Sequence, residues 1–207
     1  MAKKTKEQAQ ETRQSILDAA IDVFTDKGVA GASLNEIAER AGVTRGAIYW
    51  HFKNKLDIFA ALQDQLHQSV MDTVLADMEK DHPQPLQQLE QLCVALLMDL
   101  ETNTRKSKIL SIFYTKCDYS GEMATFLDLQ NANKAKSIEL FSHYFKRARK
   151  QGHLDADVDP HTLTLSLFFY LTGILHEHLR DPELFDLSQN AGPFIRQFFR
   201  GVSCRVM

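Results

Sequence analysis

Between Arg40 and Leu56 the chain holds Arg40, Arg45, Lys53 and Lys55 and no aspartate or glutamate, a local charge of +4 in a protein of net charge −3. Basic groups without nearby carboxylates can neutralise phosphates, and release of the counterions then drives binding to a nucleic-acid backbone. Tyr49-Trp50-His51 lies inside this stretch. Three large rings in a row cannot all be buried on one short helix, so some must face outward. The alternative is a helical hairpin whose basic face is merely solvated.

Caps and glycines define the elements that must hold these groups. Ser33 followed by Glu36 three residues later is a capping box, so a helix is expected to start at Leu34. Leu34, Ile37, Ala38 and Ala41 share one face. Gly42 stops the helix, Val43 fits the angle that follows, and Thr44 is a second N-cap for a helix over Arg45 to His51. Two short helices joined by a glycine-containing turn form a DNA-binding helix-turn-helix, here over about residues 33–52. Upstream, a long helix from about Glu7 to Lys27 puts Ile16, Leu17, Ala20, Val23 and Phe24 on one face and ends at Gly28. Residues 1–6 are expected to be a flexible basic arm, with Lys3, Lys4 and Lys6 either reaching phosphates or unordered.

The segment Thr44-Arg45-Gly46-Ala47-Ile48-Tyr49-Trp50-His51-Phe52-Lys53-Asn54-Lys55 resembles the recognition helix of the TetR family of bacterial transcriptional repressors, and in particular its AcrR-like branch, which controls multidrug efflux pumps. The similarity begins near Lys3-Lys4-Thr5-Lys6, passes through Glu11-Thr12-Arg13 and Ile16-Leu17-Asp18-Ala19-Ala20, and stays strong to about Phe59. Beyond that it persists in helical organisation and in pieces such as Lys116-Cys117-Asp118. The resemblance implies an all-α protein of about nine helices, with a DNA-binding domain over residues 1–53 and a ligand-binding and dimerisation domain over residues 54–207. It also implies roles. Arg45 would read a guanine through a bidentate contact. Gly46 and Ala47 would let the helix backbone approach the groove, and Ala47 would touch a thymine methyl. Thr44, Tyr49, His51 and Lys55 would hold phosphates, as would Ser33 beside its capping role. Trp50 divides between packing and DNA contact, with packing between the helices favoured. Ile48 and Phe52 would be core.

Further helices are expected from Asn54 to about Lys80, near 85–102, near 104–117, from about Glu122 to Gln151, over about 160–180 and over about 188–203. The helix over 160–180 is apolar nearly all round, which predicts that it is buried on every side, one of them against a second copy. In the resembled family the last two helices pair across a homodimer, which assigns Leu167, Leu171, Ile174, Phe194 and Phe198 to the interface. Aromatic and methionine side chains between 61 and 180 suit an adaptable apolar pocket. The family places a small-molecule inducer among helices four to eight, and Gln63, His67, Tyr114, Gln130 and Phe168 are its candidate contacts here.

Other chemistries fare poorly. Asp155, Asp157 and Asp159 alternate as in a calcium loop, but Pro160 stands where that loop needs glycine and Ser166 where it needs an acid; Asp159 reads better as an N-cap before Pro160. His176 and His178 lie two apart, a poor chelate on a helix. No phosphate loop, nucleophile elbow or HExxH is present, so neither an enzyme nor a bound metal or cofactor is expected. Cys93, Cys117 and Cys204 are widely spaced and odd in number, which suits a reducing cytoplasm; Cys117 or Cys204 is either a redox sensor or an apolar filler. No apolar run has the length of a membrane span, and no signal peptide is evident. The expectation is therefore a cytoplasmic homodimeric repressor of an efflux operon, acting on a pseudo-palindromic operator in double-stranded DNA. Two alternatives stand beside it: a regulator of a metabolic operon with a narrow ligand, and a helical small-molecule carrier with no DNA role.

Overall fold

A computed structural model describes residues 2–80, 82–155 and 157–202. Cys204 lies outside the described residues. The chain is all-α, with nine α-helices among the described residues: α1 Ala2–Gly31, α2 Leu34–Arg40, α3 Arg45–His51, α4 Lys55–Met78, α5 Pro85–Thr102, α6 Thr104–Thr115, α7 Thr125–Lys150, α8 Pro160–Arg180 and α9 Leu187–Val202. A short 3-10 turn, Gly121–Ala124, precedes α7. Residues 2–6 belong to α1 and do not form a loose arm.

Helix α1 also runs past its expected end, but not smoothly. Gly28 adopts φ 71° and ψ 165°, which breaks the helical ladder and leaves one further turn. Only glycine accepts such a backbone cheaply. The break also makes room: a Cβ on Gly28 would stand 3.3 Å from the Lys116 carbonyl oxygen, which accepts a hydrogen bond from the Val29 N–H at 3.2 Å.

The chain folds into two compact units. One is Met1–His67 with Arg105–Leu127; the other is Gln68–Thr104 with Asp128–Met207. The first unit therefore holds the helix-turn-helix together with the first half of α4 and most of α6. Its core begins with Ile16, Leu17, Ala20 and Phe24 of α1, Ile37 and Ala38 of α2, and Ile48 and Phe52 at α3, all buried. It continues into an aromatic cluster in which Phe59 meets Phe113 edge-on, with ring centroids 4.7 Å apart, and Phe126 at 5.1 Å. Ion pairs run along one side of α1. Arg105 Nε donates to Asp18 Oδ1 and Lys108 Nζ to Asp22 Oδ1, each at 2.8 Å.

In the second unit α9 packs on α5, burying Leu187, Ala191, Ile195 and Phe199 at four-residue intervals. The last turn of α4 is fixed by polar contacts. Asp77 is buried; it accepts a hydrogen bond from the Tyr144 hydroxyl at 2.8 Å, and its backbone carbonyl accepts one from Gln88 Nε2 at 2.5 Å. Asp159 caps α8 as expected, accepting from the backbone N–H of Thr162 at 3.0 Å. Helix α8 is not enclosed by its own chain: its buried residues are Pro160, Thr164 and Leu167, and Phe169 is exposed.

Candidate nucleic-acid interface

The helix-turn-helix is set by side chains closing on backbone. Ser33 Oγ accepts from the Glu36 N–H at 3.3 Å, and Glu36 Oε2 accepts from the Ser33 N–H at 3.0 Å. Lys27 pairs with the other oxygen of the same carboxylate. The Lys27 ammonium and then the Ser33 hydroxyl lower the Glu36 pKa to about 2. Gly42, at φ 67°, turns the chain, and Thr44 Oγ1 caps α3 by accepting from the Ala47 N–H at 3.2 Å.

Helix α3 buries Ile48 and presents Arg45, Gly46, Tyr49 and Trp50 to solvent. Trp50 is 74 % exposed, which corrects the expectation that it packs between the helices. A helix this short has one inner face, and Ile48 fills it. The Arg45 guanidinium lies 5.8 Å from the centre of the Tyr49 ring one turn on, a cation–π contact that steadies a long side chain. Trp50 and His51 meet edge-on, with centroids 4.6 Å apart. Burial, and then the positive charge of Arg13, hold the His51 imidazole below its ordinary range. At neutral pH it is therefore uncharged and offers one ring N–H.

The other expected phosphate contacts differ in what remains free. Thr44 still has its hydroxyl proton to donate. Ser33 already donates its own to Glu36 Oε2 at 2.8 Å. Lys55 donates to the carbonyl oxygens of Ala30 at 2.8 Å and Ala32 at 3.3 Å, fastening the start of α4 to the last turn of α1 and the residue that follows it. Lys27, Arg40, Arg105 and Lys108 are each paired with a carboxylate, whereas the side chains of Arg45 and Lys53 make no ion pair among the described residues, the Lys53 backbone N–H alone donating to Asp57 Oδ2 at 2.9 Å. The basic surface left for an anion thus lies around α3.

The expected ligand contacts fall in both units. Gln63, His67 and Tyr114 belong to the first, Gln130 and Phe168 to the second. Gln63 is buried and its Oε1 has no hydrogen-bond partner; His67 is half-buried. Phe168 carries the Lys134 ammonium 5.3 Å from its ring centre. Of the expected dimer contacts, Leu171, Ile174, Phe194 and Phe198 are half-buried. Leu167 is fully buried in its own chain and has no surface to offer a partner, which removes it from that set. Burial raises the Cys117 thiol to about 11, so it stays protonated at neutral pH. No group of three potential metal ligands occurs among the described residues, and no helix among them is long and apolar enough to cross a membrane.

A capped, carboxylate-free helix on a helix-turn-helix, in an otherwise all-helical chain, defines a DNA-binding regulator. The sequence profile of the bacterial regulatory proteins of the tetR family matches residues 16–62, and that of the MAATS-type transcriptional repressor C-terminal region matches residues 84–203. The chain is 35 % identical to the HTH-type transcriptional regulator AcrR of Shigella flexneri over 195 residues, 94 % of this chain and 91 % of that one. Its fold matches NalD of Pseudomonas aeruginosa with a TM-score of 0.82 and 32 % identity, covering 97 % and 100 % of the two chains. It matches SmeT of Stenotrophomonas maltophilia in complex with triclosan with a TM-score of 0.84 and 29 % identity, covering 95 % and 93 %. The chain belongs to the TetR family and is related to its AcrR-like branch: a ligand-responsive, DNA-binding transcriptional repressor, not an enzyme.

Two features of this unit are not legible in the helix-turn-helix pattern. Arg13, on α1, lies outside it. The pairing of Arg105 and Lys108 of α6 with Asp18 and Asp22 of α1 leaves only a faint charge signal, spread over separations of 87 and 86 residues.

Proposed function

We propose that this protein represses a multidrug efflux operon from the cytoplasm, as a homodimer on a pseudo-palindromic operator. One α3 would enter each of two successive major grooves. Small hydrophobic or amphipathic compounds would release it. The observation that carries the DNA reading is the exposed Arg45–Trp50 face, free of carboxylates and fixed by the Thr44 cap. Efflux control is supported by relatives that share nearly the whole chain: NalD is the secondary repressor of the MexAB-OprM multidrug efflux pump, and SmeT is the repressor of the multidrug efflux pump SmeDEF.

Gln63 is our first assignment for effector binding. A buried amide carbonyl without a partner costs about 1–3 kcal/mol, and a donor on a bound molecule would satisfy it. Gln63 lies on α4, whose first residue, Lys55, is fastened beside the helix-turn-helix. An effector that shifts α4 would therefore move the DNA-binding elements. A 100-fold loss of operator affinity needs about 2.7 kcal/mol of coupling, within the usual range.

The test is to recover the preferred duplex from a random pool, then titrate the complex with triclosan and a panel of unrelated hydrophobic dyes. Release by several of them supports the proposal. Release by none of them, with sequence preference intact, points to a narrow metabolic ligand, and absence of any sequence preference to a carrier without a DNA role.

A further inference from the structure

Arg13 belongs to α1, outside the helix-turn-helix, yet its guanidinium lies 5.1 Å from the centre of the Phe52 ring, the residue that caps α3. Phe52 in turn lies 6.4 Å, centre to centre, from the His51 ring. Arg13 is half-buried and makes no ion pair among the described residues. Asp18, the next acid along α1, is taken up by Gln14 and Arg105. Two nitrogen donors from different helices thus border one ring at the C-terminal end of α3, and neither is in an ion pair with a carboxylate among the described residues. A protein that pairs Lys27, Arg40, Arg105 and Lys108 with acids in the same unit leaves this arginine unmatched.

We propose that Arg13 is a DNA-contacting residue that, with His51, clamps one backbone phosphate in each half-site and so fixes the angle at which α3 enters the groove. The Phe52 face holds the guanidinium in place. Both groups border the same ring, Arg13 at 5.1 Å and His51 at 6.4 Å from the centre of Phe52, which sets them on one side of the end of α3 where a single anion can meet both. Such a contact positions the helix and carries no sequence information. The proposal rests on docking of α3 in the major groove.

The test compares wild type, Arg13→Gln and Arg13→Lys on the selected duplex and on a scrambled duplex, by fluorescence anisotropy across a salt series. Arg13→Gln is expected to weaken both duplexes by a similar factor, roughly tenfold or more at 0.1 M salt, and to lower the salt slope by about 2, one phosphate per half-site. Arg13→Lys should recover much of that slope. An unchanged slope with a lowered melting temperature would mean that Arg13 only packs on Phe52, and would overturn the proposal. If the wild type itself showed no preference for the selected duplex, the docking of α3 would have failed instead, and Arg13 with it.

Discussion

Arg45 and Trp50 share the exposed side of α3 but would act on DNA through different physics. Arg45 offers parallel N–H donors that match guanine, so its contribution depends on one base. Arg45→Ala is expected to cost about 1–3 kcal/mol on the selected duplex and to relax one base position. The check is binding across single-base variants, and equal weakening on every duplex would exclude base readout. Trp50 offers a large apolar surface that is 74 % exposed. Trp50→Ala should therefore lower DNA affinity while stability stays within about 0.5 kcal/mol of wild type, as measured by thermal unfolding. It is also the one tryptophan of the chain, so its fluorescence should change on adding the selected duplex, and an indifferent signal would place it off the DNA. The residue types around α3 were readable because caps, charge and ring size are local properties. The direction in which Trp50 points was not, because it depends on Ile48 having already filled the inner face.

At the scale of elements, α2 and α3 are too short to persist alone, and their caps and their shared core must hold them. Thr44→Ala removes the acceptor for the Ala47 N–H and should cost about 1 kcal/mol. The same change should weaken binding to all duplexes, since the start of α3 would fray. Glu36 gives a pH signature. Its folded pKa, about 2, lies below the ordinary value of 4.5. Its contribution is therefore complete above the unfolded pKa and is lost as pH falls from about 4.5 towards 2. The melting temperature of wild type should exceed that of Glu36→Gln at neutral pH, and the gap should close over that acidic window. A gap that persisted at pH 2 would show that the Lys27 and Ser33 contacts are not what the carboxylate contributes. The helices are legible in the sequence, α1 through its periodicity and α2, α3 and α8 through their caps, including the Asp159–Pro160 start of α8, although the first turn of α1 is not. Membership of the compact units was not visible, because Arg105 and Asp18 are 87 positions apart and no local pattern pairs them.

For the whole molecule, the half-buried apolar side chains of α8 and α9 matter most. Helix α8 carries Leu171 and Ile174 without covering them fully, which a protein acting as a single chain would not favour. Leu171→Glu is expected to give a folded monomer, seen as retained helical circular dichroism with halved mass in sedimentation. Losing the second half-site should cost it at least 100-fold in affinity for a pseudo-palindromic duplex. An intact dimer would move the interface elsewhere on the chain. The effector site was the least legible part. Its candidates came from a family resemblance, and what singles out Gln63, an acceptor buried without a donor, exists only in three dimensions.

The clasp of Lys55 on the carbonyls of Ala30 and Ala32 closes a loop of chain that contains both α2 and α3. A closed loop gains less entropy on opening than a free one. Release from DNA should then proceed by turning this loop as one block, without melting it. Amide hydrogens of α2 and α3 would exchange at the same rate with and without effector, while Lys55→Met would let them exchange faster in both states. The clasp would make the reading head a part that is moved but never unmade.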